Sequence, residues 1–324
     1  MNSQIAIREV GSVEITCLVD NAVDFMSTIA KKEAKHVREW VNDRMDKEWV
    51  KKHFQLPFAE KGFSVLIRVL CDGKFHAVLF DTGISPEGVV TNAKRMGLNL
   101  REIEGIILSH GHYDHFGGLQ KVLKAVKKEN LPIIVHEDMF RTRGVLDSDG
   151  TIRKHPEIPS EKQVAPAKYV KTKLPYLLAD DSIFVTGEIP RNTDFEKGLP
   201  RQRFFSNGKW QPDPWVWDEK AIVINVKHKG LVVITGCAHA GIINTIRHAQ
   251  QTTGVAEVYV AMGGFHLAGK DCEPRISKTV EMLRKLNPKI VVPMHCTGWR
   301  GKYAIFEAMP QAFVWNSVGN LYCF

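Results

Sequence analysis

Within Ser109–Gly118 the chain sets His110, His112, Asp114 and His115 inside six residues. Neutral imidazole and carboxylate are donors suited to zinc and similar divalent ions. In extended backbone, side chains two residues apart project to the same side. His110 and His112 can therefore grip one ion while Asp114 and His115, past a bend, reach a second. Gly111, Gly117 and Gly118 are expected to let the backbone turn closely around these ligands. A single histidine is most often a solvated surface residue. Four ligand-type side chains behind an apolar run, with nothing to neutralise or orient them, call for a cation.

The elements that must position this loop are legible on either side. Gly105-Ile106-Ile107-Leu108 reads as a short buried strand, and Leu119 to Val126 has apolar residues at helical spacing. Three later apolar runs also end beside a glycine and a histidine. Residues 231–235 lead to Gly236-Cys237-Ala238-His239, 258–262 to Gly263-Gly264-Phe265-His266, and 290–294 to His295. His239, His266 and His295 are thus candidates to complete the donor set, each with a buried structural imidazole as the alternative.

The His-x-His-x-Asp-His pattern resembles the signature of the metallo-β-lactamase superfamily, and Asp81-Thr82-Gly83 resembles the Asp-Thr-Gly that precedes the ligand loop there. The segments around Cys237, His266 and His295 resemble the subfamily that includes the dihydropterin ribofuranosyl-aminobenzene phosphate synthases. The resemblance spans roughly residues 12 to 324, apart from inserts. It implies an α/β fold, a four-layer αββα sandwich with one centre between its halves and one or two divalent ions, zinc first and manganese or iron as alternatives. It further implies His295 as a ligand of the second ion, His239 as third ligand of the first, and His266 as a ligand or substrate contact. Asp114 would bind metal and orient the nucleophilic water as the catalytic residue, while Asp81 would hold a ligand imidazole from behind. The chain departs from the pattern where relatives carry a bridging Asp, because Gly236 is followed by Cys237. Cys237 is either a sulfur ligand or a passive buried thiol with His239 in its stead. Glu188 stands where relatives place an intermediate histidine. The His-x-His pair also differs from the His-x-Glu of oxygen-reducing diiron relatives.

Length allows one large α/β domain or two smaller ones; a single domain over 1–324 is expected, and 44% hydrophobic and 25% charged residues allow a sizeable core. No apolar run approaches the roughly 18 residues that span a bilayer, and residues 1–20 lack a signal-peptide pattern. A cytoplasmic enzyme is expected. The six cysteines are scattered with no Cys-x-x-Cys, which argues against a disulfide framework or a cysteine zinc cage. The net charge of +8 is spread out, and without a basic stripe interleaved with aromatics no nucleic-acid partner is expected. A small anionic, phosphorylated or pterin-type substrate is the expected partner, and oligomerisation stays open.

Asp72-Gly73 and Lys227-His228-Lys229-Gly230 each join β-rich runs and predict hairpins. Ser85 and Pro86 predict a helix from 86 to 96. Regular apolar spacing among dense charge predicts a helical insert over 22–54. Residues 139–220, rich in Pro, Gly, Arg and Lys, predict an irregular, lid-like insert. Within it Arg191, or the pair Arg201 and Arg203, is expected to hold a substrate anion. The function expected of the whole is metal-dependent hydrolysis, with a pterin-pathway synthase or transferase, or a non-catalytic metal-containing sensor, as alternatives.

Overall fold

The computed structural model describes residues 4–324. Two mixed sheets face each other. The first has the order Lys168–Lys171, Pro132–Val135, Gly105–Ile107, Lys74–Phe80, Ser64–Cys71, Ser12–Val19, Leu321–Cys323, Ala34–Lys35. The second runs Tyr176–Leu178, Ile183–Val185, Ala221–Val226, Gly230–Thr235, Val258–Gly264, Ile290–Met294, with Glu9–Val10 paired to Ala221–Val226.

The pleat explains the layering. In Ser64–Cys71, Val65, Ile67 and Val69 enter the core between the sheets, while Leu66 packs outward under helices. In Gly230–Thr235, Val232 and Ile234 face the same inner core and Leu231 and Val233 face the opposite helices. Helices Gly88–Arg95 and Leu119–Val126 cover the first sheet. Ile242–Thr253, Ile276–Leu286 and Gly298–Ala308 cover the second. The result is the expected αββα sandwich.

Both hairpins form. Cys71 pairs with Lys74 across Asp72 and Gly73, whose φ values of 47° and 78° suit a tight mirror-image turn. The expected helix from 86 begins instead at Gly88, whose N–H donates to Ser85 Oγ at 3.0 Å. At the C-terminus only Leu321–Cys323 is a strand, inserted between Ser12–Val19 and Ala34–Lys35.

Two expectations about inserts need correction. Only Val37–Arg44 and Lys47–His53 are helical within 22–54. Asp24 accepts from the N–H groups of Met26 and Ser27, a local turn that competes with helix, and Asp46 caps the second helix by accepting from Trp49 N–H. Residues 139–220 are only partly irregular. They supply strands to both main sheets and build a third, four-stranded sheet in the order Lys209–Pro212, Gln202–Ser206, Arg143–Leu146, Ile152–Lys154. Short strands broken by turns carry too little periodicity to announce themselves.

The role expected of the loop glycines also changes. Gly117 has φ −57° and Gly118 φ −86°, values open to any residue. Space is what they supply. A Cβ on Gly117 would lie 1.9 Å from Ile84 O, and one on Gly118 2.3 Å from Thr82 O. Gly117→Ala is therefore expected to destabilise the fold by about 3 kcal/mol through overpacking. Denaturant unfolding checks this, and an unchanged midpoint would contradict it.

Candidate metal centre

The donor side chains lie just beyond the C-terminal ends of parallel strands. Gly105–Ile107 leads to His110 and His112, and a short helix, Tyr113–Phe116, carries Asp114 and His115. Gly230–Thr235 leads to Cys237 and His239, Val258–Gly264 to His266, and Ile290–Met294 to His295. Strand ends of one open sheet edge are where α/β proteins collect ligands.

These side chains converge from both sheets. His110, His112 and His239 form one group of donors, and Asp114, His115 and His295 form another, the atoms of each lying within 4.8 Å of one another. Ring centroids of His110 and His239 are 4.6 Å apart, those of His115 and His295 5.1 Å. His266 stacks 4.5 Å from His239.

Buried carboxylates hold this edge in place. Asp81 accepts from Ser109 N–H at 2.6 Å and Ser109 Oγ at 2.7 Å, and its Oδ2 lies 2.6 Å from His115 Nδ1. Asp20 accepts from His295 N–H at 2.8 Å. Glu219 accepts from the N–H groups of His239 and Ala240, both at 2.6 Å. Asp218 accepts from Gly111 N–H at 2.7 Å and from Arg143 Nη1 at 2.6 Å, tying the third sheet to the ligand loop. All four are at most 1% exposed. Left-handed backbone also occurs here: Asp81, Ala238, His266 and His295 have φ of 60°, 54°, 40° and 44°.

The donor set fits a divalent cation on its own chemistry. Nε2 of His112 and both ring nitrogens of His239 are buried without a hydrogen-bond partner, a costly state that a cation relieves. Burial holds His110 and His239 well below the usual imidazole range, reinforced by neighbouring imidazoles, and burial holds His112 at about 3. They are neutral lone-pair donors at physiological pH. Burial would raise the Asp114 carboxyl, but His295 and His115 outweigh it and keep it ionised.

Other expected residues sit elsewhere. Glu188 joins neither group. Its Oε1 lies 3.1 Å from His136 Nε2 and 3.8 Å from Lys173 Nζ. Arg191 spends its guanidinium on the carbonyls of Ile189, Trp215 and Val216, and Arg203 on those of Pro200 and Gln202. Neither lines the cavity above the donors; these polar loops satisfy their carbonyls with arginines. Arg201 does line that cavity of about 500 Å³, joined by Lys61, Arg153, His155 and Lys270. Sequence reasoning missed these, along with Asp20, Asp218 and Glu219, because no local pattern marks a residue whose partner is distant in the chain.

An edge of donors between the two halves of an αββα sandwich defines the class of metal-site proteins to which this architecture corresponds. The chain belongs to the metallo-β-lactamase superfamily, whose family model matches residues 59–250. It is 34% identical over 271 residues to the 7,8-dihydropterin-6-methyl-4-(β-D-ribofuranosyl)-aminobenzene-5′-phosphate synthase of Methanocaldococcus jannaschii, covering 80% of this chain and 89% of that protein. An uncharacterised protein of the same organism is 31% identical, over 82% of this chain and 93% of that one. A crystal structure of a metal-dependent hydrolase of the β-lactamase superfamily superposes with a TM-score of 0.66 at 25% identity, over 95% of this chain and 98% of that one. Among the described residues no helix is long and apolar enough to cross a membrane.

Two measurements probe this edge. Asp81→Asn keeps the shape but removes the charge behind His115, and metal affinity is expected to fall about 10- to 100-fold with unchanged circular dichroism; chelator competition reads it. Lys220 is fully buried, donates to Thr186 O at 3.2 Å, and burial depresses it to about 8 from 10.5. Between these values the unfolded chain binds more protons, so folding stability rises with pH through that window. Relative to Lys220→Met, the wild type should gain on the order of 3 kcal/mol across it. Parallel pH profiles of the two proteins would refute the shift.

Proposed function

We propose that this chain is a metal-dependent enzyme acting on a small anionic molecule, with a phosphoester as the leading substrate class. The observation that carries this reading is the stacking of two features: two donor groups, one of three histidines and one of Asp114 with two histidines, that open into one cavity through His112, His239, Asp114 and His295, and cationic side chains around its walls. His110, His112 and His239 would hold one divalent ion, and Asp114, His115 and His295 a second, with zinc the ion that best suits this mixture of donors. Such ions polarise a phosphoryl or carbonyl oxygen and lower the pKa of water.

The chain's own groups do the rest. Asp114 lines the cavity with its Oδ2 3.5 Å from His295 Nε2 and 3.7 Å from Lys61 Nζ. It accepts a hydrogen bond from the attacking water and fixes its direction. Asp81 keeps the His115 ring in one orientation, and Asp20 and Asn21 do the same for His295, whose Nδ1 lies 3.1 Å from Asn21 Oδ1. Lys61, Arg153, Arg201 and Lys270 draw an anion in and hold it, the two arginines partly neutralised by Asp147 and Asp271.

A second reading, a synthase reaction on a phosphorylated ribosyl substrate, is supported by the 34% identity to the pterin-pathway synthase. Turnover in ¹⁸O-water separates the two, since hydrolysis places solvent oxygen in the product and ribosyl transfer to another acceptor does not. The metal-loaded chain is expected to cleave phosphoesters in preference to lactones and thioesters. Asp114→Asn should lower kcat by about 100-fold or more. Activity that survives both chelation and this substitution would remove the reading altogether.

A further inference from the structure

Cys237 lies between the two donor groups. Its sulfur falls in one cluster with His110 and His115, in a second with His239 and His266, and in a third with His295 and Cys296, the atoms of each within 4.8 Å of one another. Among the described residues no other cysteine enters more than one such cluster. The placement is built by the backbone. The strand Gly230–Thr235 ends at Gly236, where a Cβ would fall 2.2 Å from Ser109 Oγ and 2.9 Å from Asp81 Oδ2. Only glycine lets this turn press against the Asp81–Ser109–His115 brace, and that brings residue 237 into the gap.

The chemistry of the gap is equally specific. Asp81 Oδ2 engages His115 Nδ1 at 2.6 Å, which places the proton on Nδ1 and turns the Nε2 lone pair inward. Cys237 Sγ lies 3.2 Å from that Nε2 and is buried. Two electron-pair donors facing each other away from water need a proton or a cation between them.

We infer that Cys237 is the sulfur donor shared by the two groups, joining them into one centre. This rests on the metal-centre reading above. On loading, the thiol releases its proton to solvent and the sulfur electron pairs go to the cations. A soft thiolate in this position selects zinc, cobalt or ferrous iron over magnesium and manganese. Cys296 reaches a single cluster, and its thiol sits 3.5 Å from Cys237 O; it is not the shared donor.

X-ray absorption at the zinc edge of the zinc-loaded full chain tests this. A sulfur shell at about 2.3 Å is expected in the wild type, in Cys296→Ser and in Cys272→Ser, and its loss is expected in Cys237→Ser. A wild-type shell of nitrogen and oxygen only, or a sulfur shell that persists in Cys237→Ser, overturns the inference while leaving the metal reading intact. A chain that takes up no metal overturns both. Should Cys237→Ser not fold, the cobalt-loaded Cys272→Ser/Cys296→Ser double variant decides. A retained sulfur-to-cobalt charge-transfer band assigns the donor to Cys237, because Cys17, Cys71 and Cys323 lie outside every cluster, and loss of the band rejects it.

Discussion

Buried carboxylates gripping backbone N–H groups are the constraint on which this structure depends. Asp20, Asp81, Asp218 and Glu219 each accept from the main chain at a ligand-bearing turn, at His295, Ser109, Gly111 and His239 respectively. Turns at strand ends leave N–H groups without ladder partners, and in a dry interior each orphan is costly. Charged acceptors make short, strong bonds there, and they fix the direction in which the next imidazole points. Burial pushes the Glu219 carboxyl up to about 7, whereas Arg143 outweighs burial at Asp218 and keeps it ionised, so that its charge offsets the positive charge the centre is built to receive.

Much of the architecture could be read from residue pattern, because strands of one sandwich half repeat the same grammar of apolar run, glycine and histidine. The ligand loop was legible because its donors are crowded within Ser109–Gly118. Asp20, Asp218 and Glu219 were not, since each is separated from its backbone partner by 275, 107 and 20 residues. Arg191 is the opposite case. An arginine in a polar loop looks like an anion anchor, yet here Ile189, Trp215 and Val216 present carbonyls that need a donor, and the guanidinium answers them. The strands within 139–220 are hard to see in sequence for a related reason: three- to five-residue strands are too short to show a period of two.

The third sheet sits over the centre as a separate piece of structure. His155 follows its strand Ile152–Lys154, Arg153 lies within that strand, and Arg201 directly precedes Gln202–Ser206. It is joined to the ligand loop through the buried Arg143–Asp218 pair. The donor side chains thus rest on the sandwich, while Arg153, His155 and Arg201 of the cavity wall lie in or beside the added sheet.

The left-handed backbone at His266 and His295 sets stability and retention of the donors against each other. At both positions glycine or asparagine would relax the main chain more than histidine does, so unconstrained drift runs toward a sturdier and inert protein. Glycine or asparagine at either place is therefore expected to raise stability while removing an imidazole from the donor groups.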